Sequence, residues 1–131
     1  MVHPIRIVQC HGCFRLLHYG HLKHLQYARS LGDLLVVTIT ADKYIKKEGP
    51  IIPERHRSEM LMSLKCVDNV IVIDAPDAIP ALEMIKPHIY VKGLEYAGNL
   101  PEKWWCDEHG VRTVFYSFND DRSTALLKSN S

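Results

Sequence analysis

Short apolar runs alternate with helix-like segments along the chain, and this alternation limits the possible folds more than any other feature of the sequence. Five runs are short, rich in β-branched residues and mostly uninterrupted, as expected of strands buried on both faces. They are Ile5–Cys10, Leu34–Thr40, Asn69–Asp74, His88–Val91 and Arg112–Ser117. Such runs, separated by crossover helices, predict a parallel sheet.

Four segments of helical length lie between these runs: HLKHLQYARSLG, ERHRSEMLMSLK, DAIPALEMIK and PEKWWCDEHG. Gly32, Pro87 and Gly110 follow three of them, at positions where a glycine cap or a proline ends a helix. At 131 residues the chain is long enough for one core and too short for two. We therefore predict an α/β fold, a single domain over residues 1–131 with a Rossmann-like, doubly wound, five-stranded parallel sheet.

Composition excludes several classes of protein. The formal net charge is +1, so the chain lacks the broad basic field of a nucleic-acid-binding protein. No apolar run approaches the roughly 20 residues of a membrane span, and the start of the sequence has no leader pattern, which predicts a cytoplasmic protein without a membrane partner. The four cysteines are expected to be reduced.

The stretch CHGCFRLLHYGHLKHL follows the first predicted strand and enters a helix that we start near Tyr19 or Gly20. His18 and His21 are three residues apart, so they project on one side of the helix amino terminus, where free N–H groups favour phosphate. Gly12 and Gly20 would let a phosphate approach the backbone. Because ligands bind beyond the carboxyl ends of parallel strands, this loop should share one crevice with the loops near Ala41, Lys92 and Phe118.

Two interpretations of this loop compete. The histidines suit phosphoryl or nucleotidyl transfer, in which charge on a phosphorus and its leaving group must be stabilised, and a bound polyphosphate would favour their cationic form. Alternatively, Cys10 and Cys13 with His18 and His21 have the ligand types of a zinc site. The zinc interpretation is weaker because only four residues separate the two pairs, and both cysteines also fit as small buried residues.

The stretch GCFRLLHYGHLKHLQYARSLGD resembles the signature of the cytidylyltransferase-like nucleotidyltransferases, in which a Gly-x-Phe-Asp turn precedes HxGH. The resemblance continues in order through VVTITADKYIKKEGP, ERHRSEMLMSLKCVDNVIV and IKPHIYVKGLEY, and weakly into DDRSTALLKS. Within the family, the block IKPHIYVKGLEY is most similar to the sugar-phosphate adenylyltransferases of the ADP-heptose type. The resemblance implies transfer of a nucleoside monophosphate from ATP or CTP to a phosphorylated sugar or polyol, with pyrophosphate released and Mg²⁺ carried largely by the triphosphate.

The resemblance also assigns roles to residues. It implies catalytic roles for His18, His21 and Lys47, and phosphate or substrate contacts for Lys46, Arg57 and Arg122. The alternative for Arg57 is a solvated helix face. Residues matching the nucleotide-binding positions are Gly12, Cys13, Phe14, Gly20, Lys92, Gly93, Glu95, Ser123 and Thr124.

The sequence departs from the family pattern at Arg15, where the family has an aspartate that helps organise the metal. Arginine could pair with phosphate directly and replace part of the metal's charge. It also leaves open a second hypothesis, a catalytically weakened nucleotide-binding subunit or regulator of the same fold. By analogy with similar enzymes we expect a homodimer.

Overall fold

The computed structural model describes residues 3–15, 17–45 and 51–118. Within these ranges five strands form one parallel sheet in the order β3-β2-β1-β4-β5. The strands are β1 (Ile7–Gly12), β2 (Leu34–Thr40), β3 (Asn69–Ile73), β4 (Ile89–Gly93) and β5 (Arg112–Tyr116). The helices are α1 (Tyr19–Ser30), α2 (Glu54–Met62), α3 (Ile79–Ile85) and α4 (Lys103–Glu108). The predicted five-stranded parallel α/β fold is confirmed.

Apolar residues cover both faces of the sheet. On one face, Leu25 and Ala28 of α1 and Leu61 of α2 pack with β1, β2 and β4 in one buried cluster. On the other, Leu82 of α3 and Trp105 of α4 belong to a second cluster. Strand β4 serves both, since Ile89 and Val91 belong to the first cluster and Tyr90 to the second. This two-sided burial is why the strands appear in the sequence as apolar runs.

Some predicted boundaries are wrong. Strand β1 begins at Ile7 and ends at Gly12, two residues later at each end than predicted, because it pairs with β2 from Ile7↔Leu34 to Gly12↔Ile39. A backbone ladder of this kind continues through polar residues, so the end of the apolar run did not mark the end of the strand. Helix α2 ends at Met62 rather than Lys65.

The order of the strands determines where a ligand can bind. The chain leaves β1 toward β2 and β3 on one side and reaches β4 and β5 on the other. Loops diverge at such a switch point and leave a crevice beyond the carboxyl ends of the two central strands. In this fold those strands are β1 and β4.

Among the described residues, no helix is both long and apolar enough to cross a lipid bilayer.

Candidate active site

A cleft of about 620 Å³ lies at the switch point, at the carboxyl ends of β1 and β4. The amino terminus of α1 and the end of β5 also contribute to its walls. The cleft brings together nine of the residues predicted for the site: Gly12, Cys13, Phe14, Arg15, His18, Gly20, His21, Lys92 and Glu95. Of the four loops expected at one crevice, those near His11, Lys92 and Phe118 contribute to this cleft, whereas Ala41 lies in a separate depression.

His18 and His21 form the amino-terminal cap of α1. The backbone N–H of Gly20 donates to Nδ1 of His18 at 3.0 Å, and the N–H of His18 donates to Nδ1 of His21 at 3.3 Å. The two rings stack with their centroids 3.9 Å apart. This reciprocal arrangement is a capping box in which imidazoles replace the usual hydroxyl and carboxylate groups.

The cap determines which ring nitrogen can serve a ligand. A backbone N–H only donates, so each Nδ1 must carry a lone pair and the neutral rings carry their proton on Nε2. Both residues line the cleft, where the Nε2–H groups are therefore the donors available to an anion. Burial, together with His18 and His24, lowers the pKa of His21 to about 4. In the free protein His21 is thus a neutral donor at pH 7, rather than the cation expected with bound polyphosphate.

Gly20 is required by the cap itself. A Cβ at this position would lie 2.9 Å from Cε1 and 3.1 Å from Nδ1 of His18, too close for the ring to stay in place. The sequence had suggested that Gly20 makes room for a phosphate. The structure shows that it makes room for the His18 ring.

The turn after β1 has an unusual backbone conformation at Phe14. Its φ is +47°, a value that residues with a side chain adopt rarely and that is enriched at functional sites. The ring of Phe14 packs beside Gly12, where a Cβ would lie 3.2 Å from Cε2, and its centroid is 5.2 Å from that of His21. The tight turn at Cys13 and Phe14 is therefore built against the histidine pair.

Lys92 lies at the end of β4 on the opposite wall of the cleft. Its Nζ donates to the carbonyl oxygen of His11 at 3.1 Å and sits 4.5 Å from the centroid of the Tyr96 ring. Burial lowers the pKa of the Lys92 ammonium group. Lys92 thus places a cation where β1 and β4 meet, and its contact with a nucleotide stays a prediction.

Gly93 and Glu95 differ in how they relate to the cleft. Glu95 lines it, whereas Gly93 is absent from the lining. A Cβ on Gly93 would lie 2.4 Å from Oε1 of Glu95, so the carboxylate folds back over this glycine. The carboxylate of Glu95 thus occupies the space beside Gly93.

Two further histidines line the cleft, His11 and His24, and neither was predicted for the site from the sequence. Nδ1 of His11 is 2.9 Å from Oγ1 of Thr38, and burial lowers the pKa of His11 to about 4. His24 packs edge-on against Tyr116 of β5, and burial lowers its pKa too. Their positions in the sequence could have indicated that they belong to the cleft, because His11 lies at a strand end and His24 lies one helical turn after His21.

Arg57 is not where either interpretation placed it. Its side chain is 0% exposed, so it lies neither on a solvated helix face nor among the residues that line the cleft. The guanidinium group donates instead to backbone carbonyls of Cys13, Thr40 and Ile52 and to the carboxylate of Asp42. The hydrogen-bond partners of this guanidinium group thus belong to the protein itself.

Five other predicted site residues lie outside the described residues. They are Lys46, Lys47, Arg122, Ser123 and Thr124. Their assigned roles stay predictions.

The side chains of the cleft do not form a metal cage. Among the described residues, no group of three or more His, Cys, Asp and Glu side chains is placed to hold a metal ion. All four cysteines are free thiols, and burial raises the pKa of Cys10 to about 12, which disfavours the thiolate that zinc requires. Mg²⁺ prefers oxygen ligands, and Glu95 is the one carboxylate among the described residues that line the cleft. A Mg²⁺ ion at this cleft would therefore need oxygen ligands beyond those of the described side chains.

Known proteins resemble this chain over most of its length. The cytidylyltransferase-like family matches residues 9–122. The bifunctional protein HldE of Pelobacter propionicus is 38% identical over 130 residues, which cover 93% of this chain and 26% of that protein. HldE of Helicobacter pylori strain HPAG1 is 44% identical over 129 residues, covering 95% and 27%. The chain thus spans about a quarter of the length of the curated relatives it matches.

Solved structures agree on the fold. The lipopolysaccharide core biosynthesis protein from Thermoplasma volcanium superimposes with a TM-score of 0.75 at 28% identity, covering 89% of this chain and 100% of that one. Pantoate-β-alanine ligase from Francisella tularensis gives a TM-score of 0.63 at 14% identity, over 94% of this chain and 63% of that one. The second similarity shows a shared fold alone.

Proposed function

This chain belongs to the cytidylyltransferase-like family, and from that premise we propose that it transfers a nucleoside monophosphate from ATP or CTP to a small phosphorylated sugar or polyol, releasing pyrophosphate. Family membership confirms the predicted class of enzyme, a nucleotidyltransferase. The donor, the acceptor and the residue roles are the proposal. The whole proteins that resemble this chain are about four times its length, so their activities come to it only as hypotheses.

One observation carries the proposal: the two stacked imidazoles of His18 and His21 at the amino terminus of α1. Their Nδ1 atoms are used by the cap, which leaves the two Nε2–H groups as donors beside the positive end of the helix dipole. Fixed donors of this kind stabilise charge that develops on phosphoryl oxygens without reorganising during the reaction. The site needs no covalent nucleophile.

In the proposed reaction a phosphate oxygen of the acceptor attacks the α-phosphorus of the triphosphate. The new bond joins that oxygen to the α-phosphorus, and the bond from the α-phosphorus to the bridging oxygen of the β-phosphate breaks. That bridging oxygen leaves with its electron pair as part of pyrophosphate. His18 and His21 donate to oxygens of the α-phosphate and of the leaving pyrophosphate, and Lys47 contacts the phosphates of both substrates.

The other wall of the cleft suits the nucleoside. Lys92 provides a cation and Tyr96 an aromatic face, and both lie at the end of β4 beside Glu95.

Similarity to HldE proteins and to the ADP-heptose type of adenylyltransferase favours ATP as the first donor to test. Mg²⁺ would neutralise triphosphate charge and arrive with the nucleotide, since the described cleft offers it one carboxylate. The active form is proposed to be a homodimer in the cytoplasm.

A second candidate function rests on Arg15. This residue lines the cleft, where the resemblance implies an aspartate. A cation in place of an acid suits binding of phosphate but removes an oxygen ligand for metal. The alternative is therefore a nucleotide-binding subunit or regulator with weakened catalysis.

The test is an assay of pyrophosphate release. The chain is incubated with Mg²⁺, each of ATP and CTP, and a panel of sugar and polyol phosphates, while calorimetry measures triphosphate binding in parallel. We expect release that depends on one nucleotide and one class of acceptor. Binding of the triphosphate without release on any acceptor would favour the alternative, and absence of both would reject the two together.

A further inference from the structure

Arg57 in α2 is a fully buried cation that holds together separate parts of the chain. It is 0% exposed, the largest fully buried side chain of the described residues. Nε donates to the carbonyl oxygen of Ile52 at 2.9 Å, and Nη2 donates to that of Thr40 at 3.0 Å. Nη1 donates to the carbonyl oxygen of Cys13, and Nη2 also pairs with Oδ1 of Asp42 at 2.5 Å. Each guanidinium nitrogen therefore has a partner within the protein.

These partners belong to the turn after β1, which the resemblance matches to nucleotide-binding positions, and to the segments that flank residues 46–50, where the proposed function places Lys47. Cys13 lies in the turn after β1, and its carbonyl is one end of the peptide group it shares with Phe14. Thr40 and Asp42 come shortly before residues 46–50, and Ile52 comes just after them. Those residues include Lys46 and Lys47. A single side chain thus contacts the turn after β1 and the segments on both sides of residues 46–50.

Other bonds connect the same segments. The N–H of Ile52 donates to the carbonyl oxygen of Arg15 at 3.3 Å. Asp42 and Glu54 exchange backbone-to-carboxylate bonds, at 2.8 Å from the N–H of Asp42 and 3.1 Å from the N–H of Glu54. The segments that flank residues 46–50 are therefore hydrogen-bonded to the turn after β1 and to the start of α2, and Arg57 lies among these bonds.

The bond to Cys13 fixes the direction of a neighbouring donor. A trans peptide is planar, so its N–H points opposite to its C=O. Because the carbonyl of Cys13 points at Arg57, the N–H of Phe14 points away from Arg57. The resemblance assigns phosphate contacts to this Cys13–Phe14 backbone. A hydrogen bond formed inside the protein thereby orients an N–H group in the turn that lines the cleft.

We propose that Arg57 is a positioning residue for phosphate binding: it orients the Cys13–Phe14 peptide and holds this turn at a fixed separation from the segments on either side of residues 46–50. The inference rests on the proposed function, which supplies the phosphate. A planar guanidinium with donors in fixed directions is required, since a lysine ammonium cannot reach three carbonyls and a carboxylate in different directions. Arg57 therefore acts on the nucleotide through the backbone that it holds.

The test compares Arg57→Lys with Arg55→Lys, a matched change at an exposed arginine of the same helix. Calorimetry measures the affinity for magnesium-ATP and for inorganic pyrophosphate at a temperature where circular dichroism shows both variants folded. We expect R57K to weaken both affinities by about tenfold or more, because small displacements of binding groups have large effects. R55K should retain the wild-type affinities.

NMR supplies a readout that a loss of stability alone would not move. Loss of the Arg57 bond should shift the ¹³C resonance of the Cys13 carbonyl and the ¹⁵N resonance of the Phe14 amide in folded R57K, with no change in R55K. A folded R57K with wild-type affinities, or with unchanged resonances at Cys13 and Phe14, would overturn the inference. Wild-type protein that binds neither ligand would instead reject the proposed function, and the Cys13 resonance would still decide whether Arg57 holds the turn.

If R57K does not fold, Asp42→Asn carries the same test. It removes the charge partner of Arg57 while keeping an oxygen that can accept from the N–H of Glu54. Glu54→Gln is its control, because it changes the other half of the Asp42–Glu54 exchange without touching Arg57. D42N should weaken pyrophosphate binding and shift the Cys13 carbonyl, and equal behaviour of the two variants would contradict the inference.

Discussion

His18 and His21 each use one ring nitrogen to hold the helix and leave the other for a ligand. The Nδ1 atoms accept from the N–H groups of Gly20 and His18, which keeps both rings stacked and oriented before a substrate arrives. Protonating either ring would place a proton on Nδ1 and remove a bond of the cap. Each ring thus has a capping function at Nδ1 and a ligand-binding function at Nε2, and substitutions can separate the two.

Replacing His18 by Asn separates capping from catalysis. Asn is a favoured N-cap residue, so the variant should keep the stability of α1, whereas His18→Ala should lose about 1 kcal/mol. Both should lower kcat by roughly 10²–10³, the usual effect of removing one preorganised donor. Thermal unfolding and steady-state kinetics measure the two effects. A catalytic loss in H18A that H18N restores would show that His18 serves only as a cap.

Gly20→Ala should act through the His18 ring. The added Cβ would lie 2.9 Å from Cε1 of that ring, so the imidazole must move, and a displacement of this size costs up to roughly 10² in rate. Stability should change little, because the gain in helix propensity from Ala, about 1 kcal/mol, offsets a similar loss from the displaced cap. In an H18N background the same substitution should have no further effect on kcat. Additive losses in the double variant would show that Gly20 acts elsewhere, for example by contacting phosphate.

Arg15→Asp distinguishes the enzyme from a weakened binding protein. It restores the acid that the resemblance implies and gives the cleft a second carboxylate beside Glu95. If Arg15 replaces part of the metal's charge, R15D should raise the KM for triphosphate and leave kcat at or below the wild-type value. The measurement is pyrophosphate release as a function of Mg²⁺ concentration. A large rise in Mg²⁺-dependent activity would mean that Arg15 disables catalysis.

At the scale of elements, the strands and helices could be predicted from periodicity, but several of their ends could not. Strand β2 was predicted at its observed bounds, Leu34–Thr40, since its apolar run and its ladder coincide. Strand β1 was not, because its pairing continues through His11 and Gly12. The start of α1 was predicted near Tyr19 from the position of the loop. The cap that produces this start was not foreseen, because histidine is not a usual capping residue.

The elements that surround the cleft bury histidines in their neutral form, which predicts sensitivity to acid. The pKa of His11 and of His21 is lowered to about 4, and that of His24 is lowered as well, in each case mainly by burial. Below about pH 6.5 the unfolded chain takes up protons that the folded chain excludes, so the free energy of unfolding decreases from there toward pH 4. Stability from this source is complete above pH 6.5.

Urea unfolding between pH 7.5 and 4.5 measures this dependence. The midpoint should fall as the pH is lowered through this window, and His11→Gln should reduce the slope because it removes one of the groups responsible. NMR titration of the histidine Cε1–H resonances checks the cause directly. A midpoint that stays constant from pH 6.5 to 4.5 would contradict the account.

At the scale of the whole molecule, the topology determines where the site lies. The sequence predicted a crevice beyond the carboxyl ends of the strands of a doubly wound sheet. A strand order of β3-β2-β1-β4-β5 places the ends of β1 and β4 at the switch point, and nine predicted residues gather there. What sequence could not reveal was how distant segments are joined. The resemblance assigned Arg57 a phosphate or substrate contact, yet its partners are the carboxylate of Asp42 and the backbone carbonyls of Cys13, Thr40 and Ile52. Every residue has a backbone carbonyl, so residue type alone does not indicate which carbonyls pair with Arg57.

The central claim is that this cleft transfers the α-phosphorus of a nucleoside triphosphate, and the direct measurement is the fate of the label from α- and γ-labelled ATP or CTP. The chain is incubated with Mg²⁺ and a sugar or polyol phosphate, and the products are separated. We expect α-label in the acceptor product and γ-label in pyrophosphate, with both greatly reduced in H18N. Transfer of γ-label to the acceptor, or its release as orthophosphate, would contradict it.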